Sequence, residues 1–285
     1  MAILLDGKAV SAELRERLRV ETEALRVKAR ATGLAVIIAG EDPASQIYVR
    51  NKEKACEELG YRSEVYRLSA DVTMEELEAL VERLNADPEI DGVLPQSPMP
   101  RQIDMGKIFS KVDPGKDVDC FHPYNVGRVS IGDPVFMPCT PAGVMELLRY
   151  YKIDPAGKSC AIIGRSNIVG KPMALLMINA SATVTVCNSK TKNLAEVLRG
   201  SDIIVSAAGI KGLVTAGMVK PGAVVVDVSM NRGADGKLCG DVDFPEVEKI
   251  ASYITPVPGG VGPMTIAMLM QNTMTAAKMH LGMGE

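Results

Sequence analysis

Residues 160–172 read Cys160-Ala161-Ile162-Ile163-Gly164-Arg165-Ser166-Asn167-Ile168-Val169-Gly170-Lys171-Pro172. A short apolar run ends at a glycine, a polar turn follows, and a second glycine opens a segment of helical character. Gly164 permits the tight turn, and Gly170 lets the helix approach the strand closely. Such a turn, set after a strand of a parallel sheet, presents the free N–H groups and positive dipole end of a helix to phosphate. The spacing departs from the common G-x-G-x-x-G fingerprint. Ser166 holds the second glycine's place, and the third glycine comes one residue late.

Outward from this turn, the second half of the chain repeats the pattern. Apolar runs at 159–163, 183–187, 203–207, 223–228 and 253–254 read as strands, and segments near 169–178, 193–198, 245–247 and 264–280 as helices. Strands separated by helices imply a parallel sheet covered on both faces, a Rossmann-like doubly wound arrangement. The first half alternates too. An amphipathic helix over 9–30 carries Val10, Leu14, Leu18 and Leu25 at helical spacing, and a buried strand follows over 34–39. A helix over 44–59 is stopped by Gly60, the capping box Thr73-x-x-Glu76 opens another reaching Leu84, and 90–94 reads as a strand. Between 106 and 137 the pattern weakens into a loop-rich span, and order returns with a helix from Thr140 or Pro141 to Tyr150. The fold class is α/β, with two α/β domains and a cleft between them. The first spans 1–138, with the last helix (264–285) packing back on it; the second, Rossmann-like, spans 139–263.

Composition narrows the function. The 285 residues are 47% hydrophobic and 24% charged, a globular balance for one large domain or two modest ones. Thirty-two basic against 35 acidic residues leave a net charge of −3, which offers no electrostatic case for nucleic acid or an anionic membrane surface. His122 and His280 are the two histidines, and the six cysteines (Cys56, Cys120, Cys139, Cys160, Cys187, Cys239) form no C-x-x-C pair, so no metal site is expected. The opening MAILLDGKAV lacks a basic leader region, and no apolar run approaches the ~18 residues of a membrane span. A soluble cytoplasmic protein with reduced cysteines is expected.

Three further features bear on chemistry. The strand over 183–187 runs into Asn188-Ser189-Lys190-Thr191, where an NAD site commonly ends in an acid. Ser189 and Lys190, with Arg165, suit a 2′-phosphate and favour NADP; the alternative is that Arg165 and Lys190 are solvated surface charges. Ser45, Tyr48, Lys52 and Cys56 recur at helical spacing, so Tyr48 and Lys52 share a face. An aromatic ring one turn from an amine could stack a flat substrate and move a proton, although most such lysines face water. Gln96, in Pro95-Gln96-Ser97-Pro98, sits at the carboxyl edge of a strand, where α/β proteins bind ligands. Finally, Thr255-Pro256-Val257-Pro258-Gly259-Gly260-Val261-Gly262-Pro263 makes a stiff, side-chain-poor loop that a ligand can approach closely.

These residues match a known pattern. YVRNKEKACEELG from Tyr48, DGVLPQSPMP from Asp91, KDVDCFHPYNVGR from Lys116, PCTPAGVMELL from Pro138, GRSNIVGKPMALLM from Gly164 and TPVPGGVGPMTIAML from Thr255 occur in order along the whole chain. The chain resembles the bifunctional methylenetetrahydrofolate dehydrogenase/methenyltetrahydrofolate cyclohydrolase family. The resemblance implies oxidation of 5,10-methylenetetrahydrofolate with NADP, then hydrolysis to 10-formyltetrahydrofolate, in a homodimer. Under it Lys52 looks like the proton-transfer lysine, Gln96 its orienting partner, Tyr48 the ring stacked on folate and Asp119 the carboxylate gripping the pterin. Pro95 and Ser97 flank Gln96 at the substrate, and Pro258, Gly259, Gly260, Val261 and Gly262 resemble the loop beside the folate. Gly164, Arg165, Ser166, Ser189 and Met230 fall where the family contacts NADP.

The chain also departs from the family. It reads Pro95-Gln96-Ser97-Pro98 where VQLP is usual, Cys120 where glycine follows Asp119, Asn188 where histidine is common, and Ser229-Met230 for Gly-Ile. Two competing readings are another two-domain NADP dehydrogenase, such as one acting on shikimate, and a folate- or nucleotide-binding module without turnover.

Overall fold

The LAVIIA run after Gly33 forms a fully buried strand, as its unbroken apolar character requires. The computed structural model describes residues 1–233 and 236–283. In chain order, β1 (Ile3–Leu4) leads into α1 (Gly7–Lys28), β2 (Gly33–Ala39), α2 (Pro43–Leu59), β3 (Arg62–Leu68), α3 (Met74–Ala86) and β4 (Gly92–Pro95). Short helices α4 (Met105–Lys111) and α5 (Pro123–Ser130) precede α6 (Cys139–Tyr150). There follow β5 (Ser159–Ile163), α7 (Gly170–Asn179), β6 (Thr183–Cys187), α8 (Leu194–Arg199), β7 (Ile203–Ser206) and β8 (Val224–Asp227). A small hairpin of β9 (Asn231–Arg232) and β10 (Leu238–Cys239) leads to α9 (Phe244–Val247), β11 (Tyr253–Ile254) and α10 (Val261–His280).

Two units emerge: Met1–Ala12 with Thr140–Thr265, and Glu13–Cys139 with Ile266–Glu285. The first is built on a six-stranded sheet of order β1-β11-β8-β7-β5-β6, parallel throughout. Strand β5 has β6 on one side and β7 on the other, so the winding reverses there. That reversal makes the carboxyl ends of β5 and β7 the topological switch point, where open α/β sheets bind ligands. Ala161, Ile163, Ile204, Val225 and Ile254 from the strands pack with Leu198 and Val247 from the helices into one apolar core. The chain's first twelve residues belong to this unit rather than to the expected domain 1–138. Ile3 N–H bonds Ser252 O and Leu5 N–H bonds Ile254 O, each at 2.8 Å, so the N-terminus completes a sheet edge that sequence periodicity could not reveal.

The second unit holds a three-stranded parallel sheet, β3-β2-β4. Helix α3 starts at the predicted capping box, with Thr73 and Glu76 each accepting the other's backbone N–H, and buries Leu77, Leu80, Val81 and Leu84. Ile37, Ile90 and Ile108 join that core. The chain's C-terminal part lies here: Tyr61 Oη donates to Met270 O at 3.1 Å, and His280 Nδ1 sits 3.0 Å from Asp91 Oδ1. The last two positions of the expected 264–285 segment, 284 and 285, lie outside the described residues.

Two expectations need correction. Strand β3, RSEVYRL, escapes the sequence reading because it is an edge strand, only half-buried, whose charges interrupt the apolar run. The span 106–137 is not simply loop. Asp104 caps α4, and the His122 side chain with Pro123 starts α5, but helices of seven and eight residues are too short to show a period.

Candidate active site

Helix α2 positions the amine. Asp42 caps its N-terminus by accepting Ser45 N–H at 2.7 Å, and Gly60, at φ 73°, ends it in the left-handed conformation. Between these caps the periodicity turns Ser45, Val49, Lys52 and Cys56 inward, with Tyr48 half-buried beside them. Lys52 is therefore a core lysine, 6% exposed, and not the water-facing lysine that spacing alone allows. Its Nζ lies 2.8 Å from Gln96 Oε1. Gln96 is held at both ends: its backbone N–H donates to Ile37 O at 2.8 Å, and its Nε2 donates to Ser97 O at 2.7 Å. The amide oxygen is thereby aimed at the amine. Burial pushes Lys52 below the usual lysine range, and the Asp119 carboxylate partly opposes that push. A neutral amide partner, unlike a carboxylate, leaves the lysine able to exist uncharged.

Asp119 itself is set by its neighbours. Lys116 Nζ donates to Leu84 O and Asp87 O at 3.0 and 2.6 Å, pinning the start of the segment. Asp117, buried, accepts Phe121 N–H, His122 N–H and Asn125 Nδ2 at 3.0, 2.8 and 2.8 Å. Burial nevertheless pushes its carboxyl up to about 7. Val118 O accepts from Asn272 Nδ2 of α10 at 2.8 Å and from the Cys139 thiol at 3.4 Å. Cys120 takes φ 62°, the conformation that favours the glycine of the family pattern, and its buried thiol donates to Phe136 O at 3.2 Å. Burial raises the thiols of Cys56 (to about 12), Cys120 and Cys139, so these sulfurs stay protonated and are packing groups rather than nucleophiles. In this unit the structure brings together Lys52, Gln96 and Asp119, with Tyr48 one turn along α2. Pro95 is buried in β4, and Ser97 is exposed just beyond Gln96.

The six-stranded unit carries the other expected residues. Gly164 ends β5 at φ 123°, and a Cβ there would lie 2.4 Å from Ala207 O; one at Gly170 would lie 2.3 Å from Gly164 O. Both positions need glycine for close backbone approach. Ser166 Oγ accepts Val169 N–H and Gly170 N–H at 3.2 and 3.3 Å, shaping the turn that opens α7, while Arg165 and Ser166 are exposed. Ile163 and Cys187 are paired across β5 and β6, so Arg165 and Ser189 each lie two residues past neighbouring strand ends. Thr191 Oγ1 accepts Asn188 N–H at 2.8 Å and Asn188 Oδ1 accepts Lys190 N–H at 3.0 Å, leaving Ser189 and Lys190 exposed on a tight turn without an acid. This cradle fits a phosphorylated dinucleotide. Met230 follows β8, 44% exposed. The Pro258 loop is fixed by Gly260 N–H to Pro256 O at 2.8 Å and Lys8 N–H to Gly259 O at 3.2 Å; a Cβ on Gly7 would lie 1.7 Å from Gly260 O. Val261 and Gly262 open α10.

The sequence reading passed over Asn272, Asp117 and Cys139. A lone asparagine in the apolar stretch of α10 was the available signal for Asn272, since a buried amide needs partners. Asp117 and Cys139 had no signal separable from their motifs.

The chain matches the family model for the tetrahydrofolate dehydrogenase/cyclohydrolase catalytic domain over residues 5–119 and that for the NAD(P)-binding domain over 138–281. It is 54% identical over 279 residues to the bifunctional protein FolD of Magnetococcus marinus, covering 98% of each chain. The structure matches the bifunctional enzyme FolD-methylenetetrahydrofolate dehydrogenase/cyclohydrolase of Campylobacter jejuni with a TM-score of 0.96 at 52% identity, covering 98% of this chain and 99% of that one. It matches the Trypanosoma brucei methylenetetrahydrofolate dehydrogenase-cyclohydrolase, complexed with NADP cofactor and inhibitor, with a TM-score of 0.95 at 43% identity over 98% of each chain.

Proposed function

The chain belongs to the tetrahydrofolate dehydrogenase/cyclohydrolase family, and from that premise we propose how its own residues carry the two reactions. It oxidises 5,10-methylenetetrahydrofolate to the 5,10-methenyl form with NADP and hydrolyses that product to 10-formyltetrahydrofolate. The observation that carries the assignment of residues is the buried Lys52 amine, bonded to an amide rather than an acid.

NADP, when bound, supplies the hydride acceptor that turns the methylene carbon into a methenyl cation. The turn of Gly164, Arg165 and Ser166 at the start of α7 holds its phosphates, Arg165 and Ser189 with Lys190 hold the 2′-phosphate, and Met230 adds an apolar contact. Tyr48 stacks on the folate and Asp119 accepts hydrogen bonds from the pterin's amino edge. Pro95, Ser97, Pro258, Gly259, Gly260, Val261 and Gly262 border the substrate. In the second reaction a water oxygen bonds to the methenyl carbon while Lys52, whose proton affinity burial lowers, takes the water's proton in its neutral form. The C=N π pair returns to nitrogen. The carbinol O–H then gives up its proton as the C=O forms, and the bond from that carbon to N5 breaks with its electron pair going to N5. N5 takes one of the two protons of the water, and the formyl group remains on N10. One proton is released to solvent per turnover.

The test mixes purified protein with 5,10-methylenetetrahydrofolate and NADP or NAD, following reduced nicotinamide and methenyl absorbance separately. Nicotinamide reduction with little methenyl build-up, after subtracting spontaneous hydrolysis, is the expected result. Accumulating methenyl would remove the hydrolytic assignment of Lys52, and no reduction with either cofactor would remove the dehydrogenase reading.

The same reading places the protein in the cytoplasm as a homodimer. All six cysteines are free thiols, which suits a reducing compartment. Strand β6, TVTVC, lies at an edge of its sheet without a charge, with Thr183, Thr185 and Val186 exposed, and such an edge invites pairing with a second copy. A monomeric mass by light scattering would overturn the dimer.

A further inference from the structure

We propose that Asp241 is a positioning residue for the dehydrogenase reaction: its buried carboxylate holds the loops after β7 and β8 in the form that receives the dinucleotide. The inference rests on the NADP-dependent reading above and extends it to a residue outside the phosphate turn.

Asp241 is wholly buried, two residues past β10, and among the described residues none of its hydrogen-bond partners is a cation. Six donors converge on it. Oδ2 accepts Ser206 Oγ at 2.8 Å, Ser229 Oγ at 2.7 Å, Ala208 N–H at 2.8 Å and Gly209 N–H at 3.3 Å. Oδ1 accepts Ile210 N–H at 2.7 Å and Asn231 Nδ2 at 3.0 Å. Five donors belong to the carboxyl end of β7 or to the loops after β7 and β8, and the sixth, Asn231, opens β9 at the end of the loop after β8. None comes from the opposite end of the sheet, where a group serving stability alone is equally at home.

The placement matters because β5 and β7 flank the switch point. Gly164 and Ala207 approach so closely there that a side chain on the former would meet the carbonyl of the latter. The three consecutive N–H groups drawn onto Asp241 therefore set the path of the loop that abuts the phosphate turn. On the other side, Ser229 and Asn231 are both tied to Asp241, and Met230 between them is left exposed. One carboxylate thus fixes both segments bordering the expected cofactor position.

Asp227 supports it from behind, with Oδ2 accepting Val242 N–H at 2.8 Å and Oδ1 accepting Ser229 N–H at 3.1 Å. A Cβ at Gly240 would lie 1.9 Å from Asp227 Oδ2, so glycine is required for the chain to deliver Asp241 to this point. The donors also explain how a second carboxylate is tolerated beside Asp227: six N–H and O–H groups disperse the charge.

The test is Asp241→Asn in the full-length protein, with NADP binding read by calorimetry as well as by turnover. An amide keeps the shape but turns an N–H toward donors, so part of the network must open. Weakened NADP binding and a raised KM for NADP, each by about tenfold or more, are expected, the scale of one lost charge-assisted bond. Hydrolysis of preformed 5,10-methenyltetrahydrofolate without cofactor should stay within about twofold, because Lys52, Gln96 and Asp119 lie in the other unit. Unchanged NADP affinity in the folded variant would overturn the proposal, and so would a parallel fall in both activities. If Asp241→Asn does not fold, Ser206→Ala and Asn231→Ala each remove one donor. Either must weaken NADP binding severalfold while sparing hydrolysis, and no effect from both overturns the inference. Should the wild type reduce no cofactor at all, the functional reading fails first, and the calorimetric comparison still decides the role of Asp241.

Discussion

Lys52 and Asp241 are both buried ionisable groups, one in each unit, and they are treated in opposite ways. Lys52 is bonded to a neutral amide oxygen that offers it no compensating charge, and burial lowers its proton affinity. Burial alone would raise the Asp241 carboxyl, but Ser229, Ala208, Ser206 and Asn231 outweigh it and hold the group below its ordinary value. The difference shows what separates a reactive buried charge from a fixed one. The count and polarity of its partners decide, not depth. An undersupplied group changes protonation easily and can move a proton, whereas an oversupplied one stays ionised and holds the chain in place.

The comparison breaks most visibly when the amine is removed. Lys52→Met should lower hydrolysis of 5,10-methenyltetrahydrofolate by about 10²–10⁴-fold, the range of a general base, read by the decay of methenyl absorbance. The same variant tests the energetics. Because the folded Lys52 gives up its proton more readily than the unfolded one, the native state binds fewer protons below pH 10.5. This group's contribution to stability therefore rises with pH up to that value. Thermal melts should show Lys52→Met gaining stability at neutral pH and losing that part of the slope.

Gln96→Glu sharpens the same point by supplying the missing charge. A carboxylate 2.8 Å from the amine would stabilise the ammonium, moving the acid limb of the hydrolysis profile up by roughly one to three pH units. An unchanged profile would mean that Gln96 does not tune Lys52.

Asp117 lies between the two extremes, with three donors and a carboxyl that burial still pushes up to about 7 from 3.8. Between those values the native state holds the extra proton, so this group's contribution to stability falls as pH rises through the window and is level above it. Asp117→Asn should abolish that slope in urea melts. It should also destabilise by about 1–3 kcal/mol, since an amide cannot accept from all three donors.

The smallest effect concerns Cys120. At φ 62° the ordinary order of alanine over glycine should invert, with Cys120→Gly about 1 kcal/mol more stable than Cys120→Ala in chemical denaturation. Equal stabilities would show that the left-handed backbone carries no strain there.

Legibility followed physical range. The strand–turn–helix at Gly164 was readable because its constraints are local: a positive φ, a tight approach and a helix start all fall within ten residues. The helix stop at Gly60 and the capping box at Thr73 were readable for the same reason. Strand β3 was not, because an edge strand owes its existence to hydrogen bonds with β2 rather than to an apolar run. Nor was β1, two residues paired with a strand 250 positions away. Within the candidate site, Tyr48 and Lys52 were visible as a helical face, but their spacing alone could not say whether that face met water or core.

The amino-acid sequence by itself determined the α/β class, the strand–turn–helix at Gly164, the absence of an acid after the second strand of the dinucleotide half, and membership of the folate family through ordered motifs. These are properties of chain-local stereochemistry and of residue identity. Only the tertiary structure decided that Lys52 is buried with Gln96 as its partner, that Cys120 takes a glycine's conformation, that Asn272 reaches across to Val118, and that Asp241 gathers six donors. Proton affinity and loop order depend on solvent exclusion and on partners distant in sequence, and neither quantity exists until the chain has closed on itself.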